Sequence, residues 1–357
     1  MIQGHGGNIY RLAEELRCDP AEIRDMSSNV NPLGPPPGLR EYLRENVHLI
    51  QALPEADACS AVQSFCRKYG LSPRNVLAGN GSTQFIYFLP LALRTKQALI
   101  VGPTYADYED ACAMHGALCD VIAADREDEF RPDLQKISRQ SAKADTVFIC
   151  NPNNPTGSLI PGEDLLALCR RHPDTRFIID ESYLPFVPEG EEHSLLHSGL
   201  SNVLVLHSMS KIFRVPGLRI GFLIGMEQLI AKMRHYSLPW SLSNPALHTV
   251  IWLMDHGEIT DAFISRSREY LSVERKRFCT FMSHASHMRL FPGCTSFILA
   301  ELKGRHNSGQ ICAALAAEKI LIRNCANFRG LSDRFIRISL KTEESNRMLL
   351  EKLSAFA

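Results

Sequence analysis

The sequence predicts an α/β protein, a three-layer α/β/α large domain with a mostly parallel sheet, joined to a smaller α+β domain. Three features predict it. Seven short apolar runs of strand length lie at 76–78, 98–101, 119–122, 147–150, 177–179, 203–206 and 220–224, and helical patterns such as 59–69 and 163–171 fall between several of them. Their apolar positions are nearly continuous rather than alternating, the pattern of parallel strands covered on both faces. After residue 225 the pattern changes: a long amphipathic region over 245–285, strand-like runs at 296–300, 320–323 and 335–340, and helices at 308–318 and 343–355.

The expected organisation is an N-terminal arm and small-domain segment over 1–39, a large domain over 40–240 and a small C-terminal α+β domain over 241–357. With 45 % hydrophobic and 22 % charged residues, the composition is that of a soluble globular protein. Lys+Arg and Asp+Glu both number 39, and zero net charge argues against nucleic acid or an anionic membrane as the partner. No apolar run approaches the ~18 residues of a membrane span, and the opening MIQGHGGNIY lacks a secretory pattern. A cytoplasmic protein is expected. The 11 cysteines include no Cys-x-x-Cys pair and read as reduced thiols; Cys59/Cys66 and Cys112/Cys119 each repeat at seven residues, the spacing of two helical turns. No metal-ligand spacing is present, so no metal is expected.

In chain order, His5-Gly6-Gly7-Asn8 precedes a short helix with Asn8 as N-cap and Ile9, Leu12, Ala13 and Leu16 as its apolar face. Asn29-Val30-Asn31-Pro32-Leu33-Gly34 and the prolines after it form an extended, rigid crossing. In a parallel sheet, ligands sit at the carboxyl ends of the strands. After the run at 76–78 comes Gly79-Asn80-Gly81-Ser82-Thr83, whose amides and hydroxyls at a helix start can cradle a phosphate or simply cap the helix. Tyr105 follows the run at 98–101, where a ring could stack on a flat ligand or merely pack. Asn151-Pro152-Asn153-Asn154-Pro155-Thr156-Gly157, two Asn-Pro steps, follows 147–150. Asp180 leaves 177–179 with Tyr183 close behind; it serves as a helix cap, a buried salt bridge or the partner of a protonated ring nitrogen.

The stretch after 203–206 is Ser208-Met209-Ser210-Lys211, and Arg219 follows eight residues after the lysine. An amine that attacks an aldehyde must be partly neutral, and desolvation plus a nearby cation achieve this. Two serines and an arginine can hold a dianionic phosphate beside it. Read alone, the segment is equally an exposed turn.

Asn154-Pro155-Thr156-Gly157, Asp180 with Tyr183, Ser208-x-Ser210-Lys211 and Arg219 together resemble the fold-type I pyridoxal-phosphate enzymes, the aspartate aminotransferase superfamily, over nearly the whole chain. The resemblance implies pyridoxal 5'-phosphate as cofactor, held covalently by Lys211, which also shuttles protons. Asp180 would pair with the pyridine nitrogen, and Asn154 and Tyr183 would hydrogen-bond the phenolic oxygen. Tyr105 would stack on the ring, and Gly81, Ser82, Thr83, Ser208, Ser210 and Arg219 would surround the phosphate. Lys211, Asp180 and Tyr183 are the catalytic candidates. Within the superfamily the chain resembles the L-threonine-O-3-phosphate decarboxylases and the histidinol-phosphate aminotransferases. His5-Gly6-Gly7-Asn8, Asn29 to Gly34, Pro239-Trp240-Ser241 and Ile322-Arg323-Asn324-Cys325-Ala326-Asn327 resemble the decarboxylases. That implies a small phosphorylated amino-acid substrate held by His5, Gly6, Asn29, Asn154, Arg323 and Arg337. It also implies a homodimer and an amine phosphate product for the cobamide nucleotide loop. Phosphoserine is an alternative substrate; transamination and a non-catalytic cofactor-binding regulator are the competing activities. Two departures stand out. Ala52-Leu53-Pro54 replaces a segment in which relatives carry a tyrosine for the cofactor phosphate, and Arg214 sits where relatives have a small residue.

Overall fold

The computed structural model describes residues 6–356. The chain enters through the helix Ile9–Leu16, where the Asn8 side chain accepts from Arg11 N at 3.1 Å, the expected N-cap. A two-residue strand, Arg24–Asp25 (β1), follows. Residues 29–34 then cross the molecule without helix or strand, as the proline-rich composition predicts.

All seven apolar runs form strands of one sheet: Val76–Asn80 (β2), Gln97–Gly102 (β3), Leu118–Ala123 (β4), Thr146–Cys150 (β5), Arg176–Asp180 (β6), Val203–Ser208 (β7) and Ile220–Gly225 (β8). Their order across the sheet is β2-β8-β7-β6-β5-β3-β4. Strand β8 runs antiparallel to both its neighbours, and every other pairing is parallel. Val147, Phe148 and Ile149 of β5 and Phe177, Ile178 and Ile179 of β6 are all 1 % exposed or less. Consecutive strand residues face opposite sides, so helices cover both faces, and the continuous apolar runs have their physical cause. Burial of each such side chain contributes about 1.5–3 kcal/mol.

The topology also gathers one end of the sheet. The chain runs from β3 out to the edge strand β4 and returns on the other side of β3 as β5, which makes a switch point between β3 and β5. The carboxyl ends of β3, β5, β6 and β7 deliver Tyr105, Asn154, Asp180 and Lys211 to the same rim. Because β8 is antiparallel, its start lies at that rim as well: Gly221 pairs with Ser208, and Gly81 N donates to Arg219 O at 2.9 Å.

Beyond residue 225, Met288–Leu290 (β9), Phe297–Leu302 (β10), Ile320–Leu321 (β11), Arg323–Asn324 (β12) and Phe335–Ser339 (β13) complete the strands. Four of them form an antiparallel sheet in the order β12-β13-β10-β9, while β11 pairs in parallel with β1. Three expectations are corrected here. The run at 320–323 is not one strand: Ile322 separates two short strands that belong to different sheets. The region 245–285 breaks at His256 into the helices Asn244–Asp255 and Gly257–Met282. Cys112 and Cys119 do not share a helix, since Cys119 lies on β4. Strand β9 escaped the sequence reading because three residues give no periodicity. No helix among the described residues is long and apolar enough to cross a membrane.

Candidate active site

Two adjoining cavities open at the gathered rim, one of about 90 Å³ and one of about 170 Å³, and Tyr105, Asn154, Tyr183 and Lys211 line both. The smaller one contains all eleven residues singled out for the cofactor, from Gly81, Ser82 and Thr83 through to Arg219. The larger one contains Gly6, Asn29, Arg323 and Arg337 together with Asn154. His5, the remaining candidate, lies outside the described residues.

Lys211 stands in the short helix Met209–Ile212 that begins where β7 ends. Burial first, then the nearby guanidinium groups of Arg219 and Arg337, push its ammonium down to about 8, while Asp180 opposes them. At pH 7 about one molecule in ten then carries a neutral amine, several hundred times the fraction of an ordinary lysine.

Asp180 is buried and organised from two sides. Tyr108 donates its hydroxyl to Oδ2 at 2.7 Å, and Ser182 donates its amide and hydroxyl to Oδ1 at 3.0 and 2.5 Å. Each carboxylate oxygen has two lone pairs, so Oδ2 keeps one for a ligand donor. No ion pair among the described residues occupies it, so the salt-bridge role is not the one it plays. Tyr108 in turn stacks on Phe148, with centroids 5.3 Å apart. Tyr108 and Ser182 were missed from sequence. The signals were available: Tyr108 is three residues after Tyr105 at a helix start, and Asp-x-Ser is a side-chain turn motif.

The phosphate candidates form a cradle. The helix Gly81–Leu93 begins without a side-chain cap hydrogen bond; Gly81 N is taken by Arg219 O, and the amides of Ser82 and Thr83 are left available. Gly81 has φ +70°, and a Cβ there would stand 2.5 Å from Arg219 Nη2, so only glycine lets the guanidinium lie against the turn. Arg219 Nη2 donates to Thr83 Oγ1 at 3.5 Å. Ser210 Oγ is buried with no hydrogen-bond partner among the described residues. An orphaned hydroxyl, uncapped amides and a guanidinium at one point fit a phosphate group, and with Asp180 and Lys211 they fit pyridoxal phosphate.

In the larger cavity Arg337 is 5 % exposed and donates to Asn154 Oδ1 and to Ser27 O. Its Nε is buried without a partner among the described residues. Arg323 donates to Asn327 Oδ1 at 2.7 Å and lies over the Phe328 ring. Gly6 closes the wall: a Cβ on it would meet Ser27 O at 3.1 Å and the Arg323 side chain at 3.4 Å. Asn29 Nδ2 lies 3.2 Å from the Tyr183 hydroxyl. Burial drives that hydroxyl up to about 12, so Tyr183 stays protonated, although Arg337 and Asn29 pull the other way.

Both departures now have a place. Leu53 is 81 % exposed and lines neither cavity. Arg214 Nη1 donates to the carbonyls of Asn31 and Pro32 at 3.1 and 3.0 Å, and Asn31 N donates to Lys211 O at 3.0 Å. Arg214 therefore clamps the crossing segment to the lysine loop.

Comparison with known proteins agrees with this architecture. The model of the family described as aminotransferase class I and II matches residues 21–353. The chain is 30 % identical to threonine-phosphate decarboxylase of Salmonella typhimurium, over 98 % of this chain and 95 % of that protein. It is 29 % identical to the adenosylcobalamin biosynthesis bifunctional protein of Leptospira interrogans over 98 % of its own length, and it spans 40 % of that longer protein. Among solved structures, histidinol-phosphate aminotransferase from Clostridium acetobutylicum superposes with a TM-score of 0.85 at 27 % identity, over 93 % and 98 % of the two chains. L-threonine-O-3-phosphate decarboxylase from Porphyromonas gingivalis superposes with a TM-score of 0.83 at 28 % identity, with the same coverage.

Proposed function

We propose that this chain, which belongs to the aminotransferase class I and II family and is a pyridoxal-phosphate-dependent enzyme, removes the carboxylate of O-phospho-L-threonine as CO2. The observation that carries the reading is the larger cavity beside Lys211. It holds two arginines, one buried with an Nε that no described residue partners. A substrate with a carboxylate and a phosphate carries two anionic groups, and each calls for a planar, always-charged partner. The similarity to threonine-phosphate decarboxylase over nearly the full length supports the same substrate.

Pyridoxal phosphate supplies an electron sink conjugated to the substrate's α-carbon. The protein's residues do the rest. Lys211 Nζ, held partly neutral, captures the cofactor and later holds a proton for return to the α-carbon. Asp180, fixed by Tyr108 and Ser182, keeps a proton at the cofactor's ring nitrogen through the free lone pair on Oδ2. Tyr183, held protonated, and the amide of Asn154 donate to the cofactor's phenolic oxygen. Ser82, Thr83, Ser208, Ser210 and Arg219 bind its phosphate. Arg337 and Arg323, with Gly6 and Asn29, would bind the substrate's two anionic groups and fix its orientation beside the cofactor. A homodimer of residues 1–39, 40–240 and 241–357 as arm, large and small domains completes the reading, and its amine phosphate product suits cobalamin assembly.

Transamination is the second reading, favoured by the superposition on histidinol-phosphate aminotransferase. It would use the same residues and differ in which bond to the α-carbon is broken. Conversion of the bound cofactor to pyridoxamine phosphate separates the two. Incubation with phosphothreonine, histidinol phosphate or glutamate is expected to shift the cofactor's visible absorbance at most, without conversion to pyridoxamine phosphate; stoichiometric conversion by any of them would establish the transaminase.

A further inference from the structure

We propose that Lys341 is a positioning residue for the phosphorylated substrate, holding the 25–29 segment as one wall of the substrate cavity through the carbonyl of Ser28. The inference rests on the reading of the larger cavity as the substrate site.

Residues two apart on an extended strand face the same side. Arg337 and Ser339 of β13, and Lys341 two residues beyond it, form such a row. Each holds one residue of a consecutive set. Arg337 Nη2 donates to Ser27 O at 2.6 Å, Lys341 Nζ to Ser28 O at 2.7 Å, and Ser339 Oγ to Asn29 Oδ1 at 2.6 Å. Ser27, Ser28 and Asn29 all line the substrate cavity, whereas Lys341 does not. It acts from behind the wall, at 8 % exposure.

Asp25 supports the same wall from its other end. Its Oδ1 accepts from Ser27 N, Ser27 Oγ and Ser28 N at 2.9, 2.7 and 3.1 Å, and its Oδ2 accepts from Ser28 Oγ. Ser27 Oγ also accepts from Gly7 N at 2.7 Å, which ties the N-terminal arm to the same segment. A buried ammonium is costly unless something uses it. Here it donates to the Ser28 carbonyl, which also accepts from Val30 N at 3.0 Å, near the Asp25 carboxylate. The charged groups facing it are Asp25, which favours its charge, and Arg214, Arg337 and Lys211, which oppose it; with burial as the largest influence they push Lys341 down to about 8. Loss of the ammonium leaves Ser28 O held by Val30 N alone and takes the neighbouring positive charge from Asp25, so the tie from β13 to the middle of the segment is lost and its three residues are no longer held toward the ligand.

The test uses cofactor-loaded wild type, Lys341→Met, Lys341→Arg and Asp25→Asn. Affinity for phosphothreonine is followed through the shift in the bound cofactor's absorbance, and KM and kcat are measured alongside. Lys341→Met is expected to weaken binding and raise KM about tenfold or more, with kcat within about threefold of wild type, as removal of a charge-assisted contact from uniform binding predicts. Lys341→Arg should recover most of that loss, and Asp25→Asn should shift KM in the same direction as Lys341→Met. Wild-type KM should rise between pH 7 and pH 9, flanking the value near 8, while that of Lys341→Met stays level. Unchanged affinity in Lys341→Met, a fall in kcat at constant KM, or no recovery in Lys341→Arg would each overturn the proposal. If Lys341→Met loses its cofactor, Asp25→Asn alone decides it, and unchanged KM there overturns it. Wild type that binds phosphothreonine and releases no CO2 removes the decarboxylase reading, and the affinity ratios still judge Lys341. If phosphothreonine does not bind, histidinol phosphate serves as the ligand for the same ratios.

Discussion

Tyr108 donates its hydroxyl to Asp180 Oδ2 at 2.7 Å, and this bond joins the helix after β3 to the end of β6 across the intervening β5. It sets the carboxylate in place before any ligand arrives. Tyr108→Phe keeps the stacking on Phe148 and removes only the donor. Cofactor affinity is expected to fall about tenfold, the usual cost of one hydrogen bond to a charged group. Titration of the apoprotein with pyridoxal phosphate measures it; an unchanged affinity would show that Ser182 alone suffices.

Ser210 Oγ is buried and unpartnered, so Ser210→Ala has opposite effects on two forms of the protein. The cofactor-free form should melt about 2 °C higher, because an unsatisfied hydroxyl has gone, while cofactor affinity should drop about fivefold to tenfold. Melting curves with and without pyridoxal phosphate check both signs.

Gly81→Ala introduces a Cβ into the space held by Arg219 Nη2, at a φ of +70° that favours glycine. Cofactor affinity is expected to fall by about a hundredfold, since both the turn and the guanidinium must move. Retained affinity would remove the phosphate-cradle assignment.

The Lys211 amine reacts only when neutral, so capture of pyridoxal phosphate by the apoprotein should speed up as pH rises. With the ammonium down at about 8, the rate should increase about fivefold from pH 7 to 8 and level off above 9. An ordinary lysine would instead give about tenfold per pH unit up to 10. Growth of the visible absorbance band measures the rate, and Lys211→Ala should show no band at all.

How much of this could be read in the chain follows from where the information is local. The seven strands of the large sheet were legible because burial on both faces leaves continuous apolar runs, and Lys211, Asp180 and Asn154 because each leaves such a run abruptly. Tyr108 and Ser182 carry only weak local signals, a helix-start tyrosine and an Asp-x-Ser turn, whose meaning depends on Asp180, and for Tyr108 that partner is 72 residues away. The row Arg337, Ser339, Lys341 has a visible period of two, yet the segment it grips lies more than 300 residues earlier. Arg214 had no place in the sequence because its acceptors are backbone carbonyls of Asn31 and Pro32, which carry no side-chain signature.

The most direct test of the proposed reaction is carbon dioxide release from O-phospho-L-threonine labelled in its carboxylate, with the purified protein loaded with pyridoxal phosphate. Labelled CO2 and an amine phosphate should appear in equal amounts, without added 2-oxoglutarate, and Arg337→Ala should abolish release. Consumption of the substrate only when 2-oxoglutarate is supplied, with the label retained in a keto acid, would contradict the account.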